Sequence, residues 1–78
     1  MSAMPSIRRT VRRREIAQRI RKLRVSLDLS QETAAKLLGV GRVQWTHIEA
    51  GRASVPAERV VEICRILNTS VVEILGAA

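Results

Sequence analysis

The chain has 78 residues, 46% of them hydrophobic and 27% charged, with a net charge of +7, no Phe or Tyr, and a single Trp, a single His and a single Cys. A domain of this length buries only about 60% of the surface its unfolded form exposes, so one modest core is expected and no enclosed substrate pocket of ordinary size. The lone Cys64 excludes an internal disulfide and has no Cys or His at ligand spacing to make a zinc site, while no apolar run approaches the roughly 18 residues that span a bilayer; a reduced, cytoplasmic setting without membrane attachment is expected.

The charge is unevenly placed. Residues 1 to 14 hold five Arg and no acid, whereas residues 15 to 78 hold nine Lys and Arg against seven acids. A basic, partly disordered arm (1–14) on a nearly balanced globule (15–78) points to a polyanionic partner. The arm leads into further charge and not into an apolar segment, unlike an export signal. With no Phe or Tyr, the core falls to Leu, Ile, Val and Ala around one Trp, a composition that favours packed helices.

Met1 to Ile7, interrupted by Pro5, shows no period and is expected to be an irregular tip, with helix possible from about Arg9. Ile16, Ile20, Leu23 and Leu27 recur at helical spacing and form one apolar stripe, with Arg19, Arg21 and Lys22 largely off it. This first helix is expected to end near Leu27 to Leu29.

Ser30 is an N-cap for a short second helix, Gln31 to Leu38, whose apolar face is Ala34, Leu37 and Leu38 and whose stop is Gly39. A third helix is expected from about Arg42 to Ala50, opened by Gly41, which has no side chain to cap with, and stopped by Gly51. Pro56 suits the first position of a fourth helix with Val60, Ile63, Cys64 and Leu67 inward and Asn68 at its end. Ser70 and Glu73 have the spacing of a capping box for a fifth, Val71 to Leu75.

Two short helices joined by a Gly-containing turn of about three residues make a helix-turn-helix, whose second member can enter the DNA major groove. At about 100° per residue, with Arg42 set at zero, Trp45 falls near 300° and Ile48 near 240°, the inward side. Thr46, Val43 and His47 fall near 40°, 100° and 140° on the other side with Arg42, flanked by Gln44 near 200°. Arg42 can bind guanine O6 and N7 in bidentate fashion, the Val43 methyls can meet a thymine methyl, and Thr46 or His47 can bond a base edge or a phosphate.

"RIRKLR" (Arg19 to Arg24), "LSQETAAKLLGV" (Leu29 to Val40), "IEAGR" (Ile48 to Arg52) and "SVVEILG" (Ser70 to Gly76), in this order and spacing, resemble the Cro/C1-type, Xre-like helix-turn-helix regulators. The resemblance covers about Ile16 to Gly76. It implies an all-α, five-helix, lambda-repressor-like DNA-binding domain, here with a basic N-terminal extension. It also implies base or nearby phosphate contacts at Arg42, Val43, Gln44 and His47, a backbone contact at Gln31, and an ion pair between Arg24 and Glu49 that orients the third helix. Gly41 departs from the Ser or Thr usual in the family and Trp45 from the usual Ile or Val.

Trp45 is read as a core anchor beside Ile48, because duplex DNA bound through its groove offers no exposed base face. Arg52 is a further phosphate candidate. Arg8, Arg9, Arg12 and Arg13 are read as phosphate or minor-groove contacts, the alternative being a solvated helix extension. Cys64 is a small buried hydrophobe.

No paired acid and base, phosphate loop or nucleophile motif is present, so no catalysis, cofactor or metal is expected. The expected activity is sequence-specific binding of double-stranded DNA by a homodimer on a palindromic operator, as a repressor, in the cytoplasm and associated with the nucleoid. Helix five, through Val71 and Leu75, is the expected dimer surface. The alternative is a protein-interaction module such as an antitoxin. That reading expects a partner-binding segment outside the DNA-binding fold, and only two alanines follow Gly76.

Overall fold

The structure, a computed structural model, describes the backbone of residues 4–76 and the side chains of residues 13–76. Five helices, α1 (Met4–Ser26), α2 (Gln31–Leu38), α3 (Arg42–Glu49), α4 (Ala57–Ile66) and α5 (Val71–Leu75), follow in chain order with no strand among the described residues. Helix α1 packs on α3 and α5, α2 on α3 and α4, and α4 on α5.

Helix α1 begins earlier than the sequence suggests. It takes in Met4 to Ile7, expected as an irregular tip, because Pro5 falls in its first turn, where a missing N–H leaves no bond unmade. The basic run thus belongs to the backbone of α1, although the side chains of Arg8, Arg9 and Arg12 lie outside the described residues.

Helices α1 to α4 each end on a residue of positive φ: Asp28, Gly39, Gly51 and Asn68. After α2, Gly39 N–H donates to Lys36 O at 3.1 Å and Val40 N–H to Ala35 O at 3.0 Å. The pattern recurs at Leu29 N–H to Arg24 O, Arg52 N–H to His47 O and Thr69 N–H to Cys64 O, so the terminal carbonyls are satisfied as the chain reverses. Gly51 has a second reason to be glycine, since a Cβ there would stand 3.3 Å from the Arg14 Cα.

Ser30 caps α2 by accepting from Thr33 N–H at 3.0 Å, and Ser70 caps α5 by accepting from Glu73 N–H at 3.2 Å. The reciprocal half of the Ser70 capping box is replaced: the Glu73 carboxylate accepts from the Thr69 hydroxyl at 3.0 Å. Pro56, expected as the first residue of α4, is its N-cap instead, and the helix starts one residue later at Ala57.

The core gathers Ile20, Ala34, Ala35, Leu38, Trp45, Ile48, Ile63, Cys64, Leu67 and Ile74. Trp45 is fully enclosed. Two residues assigned inward by periodicity are not inside. Leu27 is exposed because α1 stops at Ser26 and Asp28 turns the chain, and Leu37 is exposed because Ala34, Ala35 and Leu38 define the buried arc of α2. Leu75 packs against the core, whereas its neighbours Val71 and Val72 stay exposed.

Candidate nucleic-acid interface

Helix α3 is eight residues long; Trp45 and Ile48 are buried whole, and the side chain of Glu49 is enclosed beside them. Gly41 opens it in extended conformation with no side-chain cap, so the first turn is held through backbone alone, including Trp45 N–H to Gly41 O at 3.1 Å.

The inward side is tied down through Glu49. Oε2 of this carboxylate accepts from Arg24 Nε on α1 and from the indole Nε1–H of Trp45 one turn earlier. Oε1 accepts from Arg24 Nη2 and from Gln31 Nε2 on α2, both at 3.1 Å. One side chain, 4% exposed, therefore joins α1, α2 and α3. Burial pushes the Glu49 carboxyl up, but the hydrogen bonds from Arg24, Gln31 and Trp45 and the Arg24 charge outweigh it and hold it below its ordinary value. Arg24 also donates to the Leu29 carbonyl at 2.6 Å, which fixes the α1–α2 turn to the same knot.

The outward side carries Arg42, Val43, Gln44, Thr46 and His47, all exposed, with Val43 at 70%. The structure thus leaves all five expected base-contact residues accessible, with Arg42, Val43, Thr46 and His47 on the side away from Trp45 and Ile48 and Gln44 at its flank. They are not equivalent. The Thr46 hydroxyl lies 3.0 Å from the Arg42 carbonyl and 3.5 Å from Gln31 Oε1, both acceptors, so its single proton is used inside the protein. What Thr46 offers outward is its methyl group and an accepting oxygen.

Gln31, expected to meet a phosphate, is half-buried; its Nε2 donates to Glu49 with one N–H left over, and its Oε1 lies 3.5 Å from the Thr46 hydroxyl, whose proton is closer to the Arg42 carbonyl. Arg52 is exposed just after Gly51, and Arg13 is half-buried on the α1 surface that runs past the same loop. Sequence reasoning anticipated the Arg24–Glu49 pair and missed Gln31 and Trp45 as its partners. The four-residue spacing of Trp45 and Glu49 on a helix was a legible signal; the 18-residue separation of Gln31 from Glu49 was not.

The helix-turn-helix domain family matches residues 15–75. The chain belongs to that family. It is similar to the restriction-modification controller protein C.AhdI from Aeromonas hydrophila, with a TM-score of 0.75 and 31% identity, covering 80% of this chain and 94% of that one. The clp gene regulator ClgR from Corynebacterium glutamicum, at 23% identity and a TM-score of 0.77 over 82% of this chain and 83% of its own, shares the fold. The antitoxin PezA of Streptococcus pneumoniae serotype 4 is 36% identical over 61 residues, 78% of this chain, and the chain spans only 39% of that relative's length. This is the Xre- and Cro-like helix-turn-helix regulator fold, all-helical in its described residues. No helix among the described residues is long and apolar enough to cross a membrane.

Proposed function

We propose that this helix-turn-helix chain is a sequence-specific, double-stranded-DNA-binding transcriptional regulator that works as a homodimer on a palindromic operator and represses transcription by occupying it. The observation that carries this reading is the division of α3. Arg42, Val43, Gln44 and His47 have no internal side-chain partner among the described residues and share one exposed face, on a helix whose other side is locked by Trp45 and Glu49. That is the form a base-reading helix needs: donors, acceptors and methyl groups free to meet base edges, on a helix bonded to its neighbours from behind.

Arg42 is assigned to guanine and Val43 to a thymine methyl, with Gln44 and His47 at neighbouring base edges or phosphates. Arg52, Arg13 and the remaining N–H of Gln31 are assigned to the backbone strands, as are Arg8, Arg9 and Arg12, whose side chains lie outside the described residues. The exposed Val71 and Val72 of α5 give a second copy an apolar surface. A two-fold dimer then reads half-sites about 34 Å apart.

Selection of bound duplexes from a random library, followed by affinity measurements on the winner and on mixed-sequence DNA over a range of salt, tests the reading. A palindromic winner with a large specificity ratio is expected. Recovery of no enriched sequence would sink it.

A second reading is favoured by the similarity to an antitoxin: DNA binding would accompany the capture of a protein partner by surfaces outside α3. A DNA-bound complex that gains a tightly associated protein without loss of operator preference is the outcome particular to that reading.

A further inference from the structure

We infer that Arg21 is a phosphate ligand of the DNA interface, seated beside Gln31 in a cleft between α1, α2 and α3; the inference rests on the DNA-binding reading above. The cleft holds about 470 Å³ and is lined by Arg21, Arg24, Gln31, Thr46, Glu49 and Ala50. Thr46 and Ala50 are exposed residues of α3 and its C-cap. The cleft therefore opens beside the face that carries Arg42 and His47. A groove that receives α3 brings one of its flanking strands over such a position.

The charge in the cleft decides what it takes. Glu49 is the one acid among the lining residues, and its carboxylate already accepts from Arg24, Gln31 and Trp45. Arg24 is spent on Glu49 and on the Leu29 carbonyl. Arg21 is exposed and forms no ion pair or side-chain hydrogen bond among the described residues. One uncommitted guanidinium remains, so the cleft attracts an anion.

Gln31 adds direction. Glu49 Oε1 can only accept, so Nε2 of the amide faces it, and Gln31 Oε1 is turned to the Thr46 hydroxyl. The second N–H on Nε2 stays free. A planar guanidinium fork with an amide N–H at its side suits the oxygens of a backbone phosphate.

In the sequence Arg21 stands among Arg19 and Lys22 and reads as part of a solvated face. Both line a depression on the α1 surface, but their partners differ: Arg19 Nη1 donates to the Ile74 carbonyl at 3.2 Å and its guanidinium covers Gly76. Arg19 holds α5, and Arg21 has no such duty.

The test compares Arg21→Gln, Arg21→Lys and Arg65→Gln, the last removing an equal charge from an exposed site on α4 outside the cleft. Each is measured against the duplex selected by the wild-type protein, over a range of salt and with single methylphosphonate substitutions along both strands. Arg21→Gln, which removes one contact from each protomer of the dimer, is expected to reduce the slope of log affinity against log salt by about 1.8, roughly 0.9 per contact, and to become insensitive to one methylphosphonate position in each half-site that weakens the wild type. Its ranking of base substitutions stays as in the wild type. Arg21→Lys retains the slope, and Arg65→Gln behaves as wild type. A slope and backbone profile for Arg21→Gln equal to those of Arg65→Gln overturns the assignment while leaving the DNA-binding reading intact. A wild-type protein that enriches no duplex removes both.

Discussion

Helix α3 holds two faces in opposite chemical states. On the inner face Trp45 and Ile48 are enclosed and the polar atoms of Trp45 and Glu49 are partnered, with bonds reaching α1 and α2. On the outer face Arg42, Val43, Gln44 and His47 are exposed, and none has a side-chain hydrogen bond or ion pair among the described residues. The contrast teaches how so small a domain supports a reading surface: rigidity is supplied from behind. A change behind alters stability, and a change in front alters recognition alone.

The largest expected effect breaks the inner face. Trp45→Ala removes the central core side chain and should cost about 3–5 kcal/mol, a large share of the total stability of a domain this size, measured by urea unfolding. Trp45→Phe keeps most of the packing but leaves Glu49 without the indole donor, and a smaller loss of about 1–3 kcal/mol is expected.

Arg24→Met comes next. It strips a buried carboxylate of its charged partner, with Gln31 and Trp45 still donating, and should cost about 3 kcal/mol. The same carboxylate gives a pH test. Because its pKa is lowered on folding, Glu49 contributes stability above its ordinary value of 4.5 and loses that contribution as pH falls below this towards the folded value. Urea midpoints between neutral pH and pH about 3 should therefore fall more steeply for the wild type than for Glu49→Gln. Parallel curves would count against the network.

Substitutions on the outer face should leave those midpoints unchanged. Arg42→Ala is expected to cost about 1–3 kcal/mol on the selected duplex and to relax one base position, whereas Arg52→Ala weakens selected and mixed-sequence DNA alike. Equal losses on both DNAs for Arg42→Ala would remove it from the base readers.

The smallest effect sits where the two faces meet. A Cβ at Gly41 finds open space, and its backbone is already extended as an N-cap requires. Gly41→Ser should add a few tenths of a kcal/mol through a side-chain cap, seen as a small rise in the melting temperature.

Much of this arrangement is legible from residue order because its signals are local. Ser30 with Gly39, and Ser70 with the residues that follow it, bound α2 and α5 correctly, since a cap and a left-handed stop act within one turn. The wheel of α3 separates inner from outer side chains for the same reason. Where local pattern misleads, a neighbour decides. Leu37 is apolar and correctly spaced, yet the small Ala34 and Ala35 draw the buried arc of α2 to themselves. Asp28 turns the chain in a left-handed conformation, so α1 stops at Ser26, just short of the expected end near Leu27 to Leu29, and Leu27 falls outside the apolar stripe.

Composition and spacing by themselves determined an all-helical, cationic, single-tryptophan chain with a helix-turn-helix at its centre and an inward Trp45, because helix periodicity and capping depend on neighbours within a few residues. Only the tertiary structure decided that Glu49 gathers donors from three helices, that the Thr46 proton is spent inside, and that an uncommitted Arg21 lines the same cleft as Gln31. Those depend on where α1 and α2 lie across α3. No spacing within one helix encodes the meeting of side chains 18 residues apart.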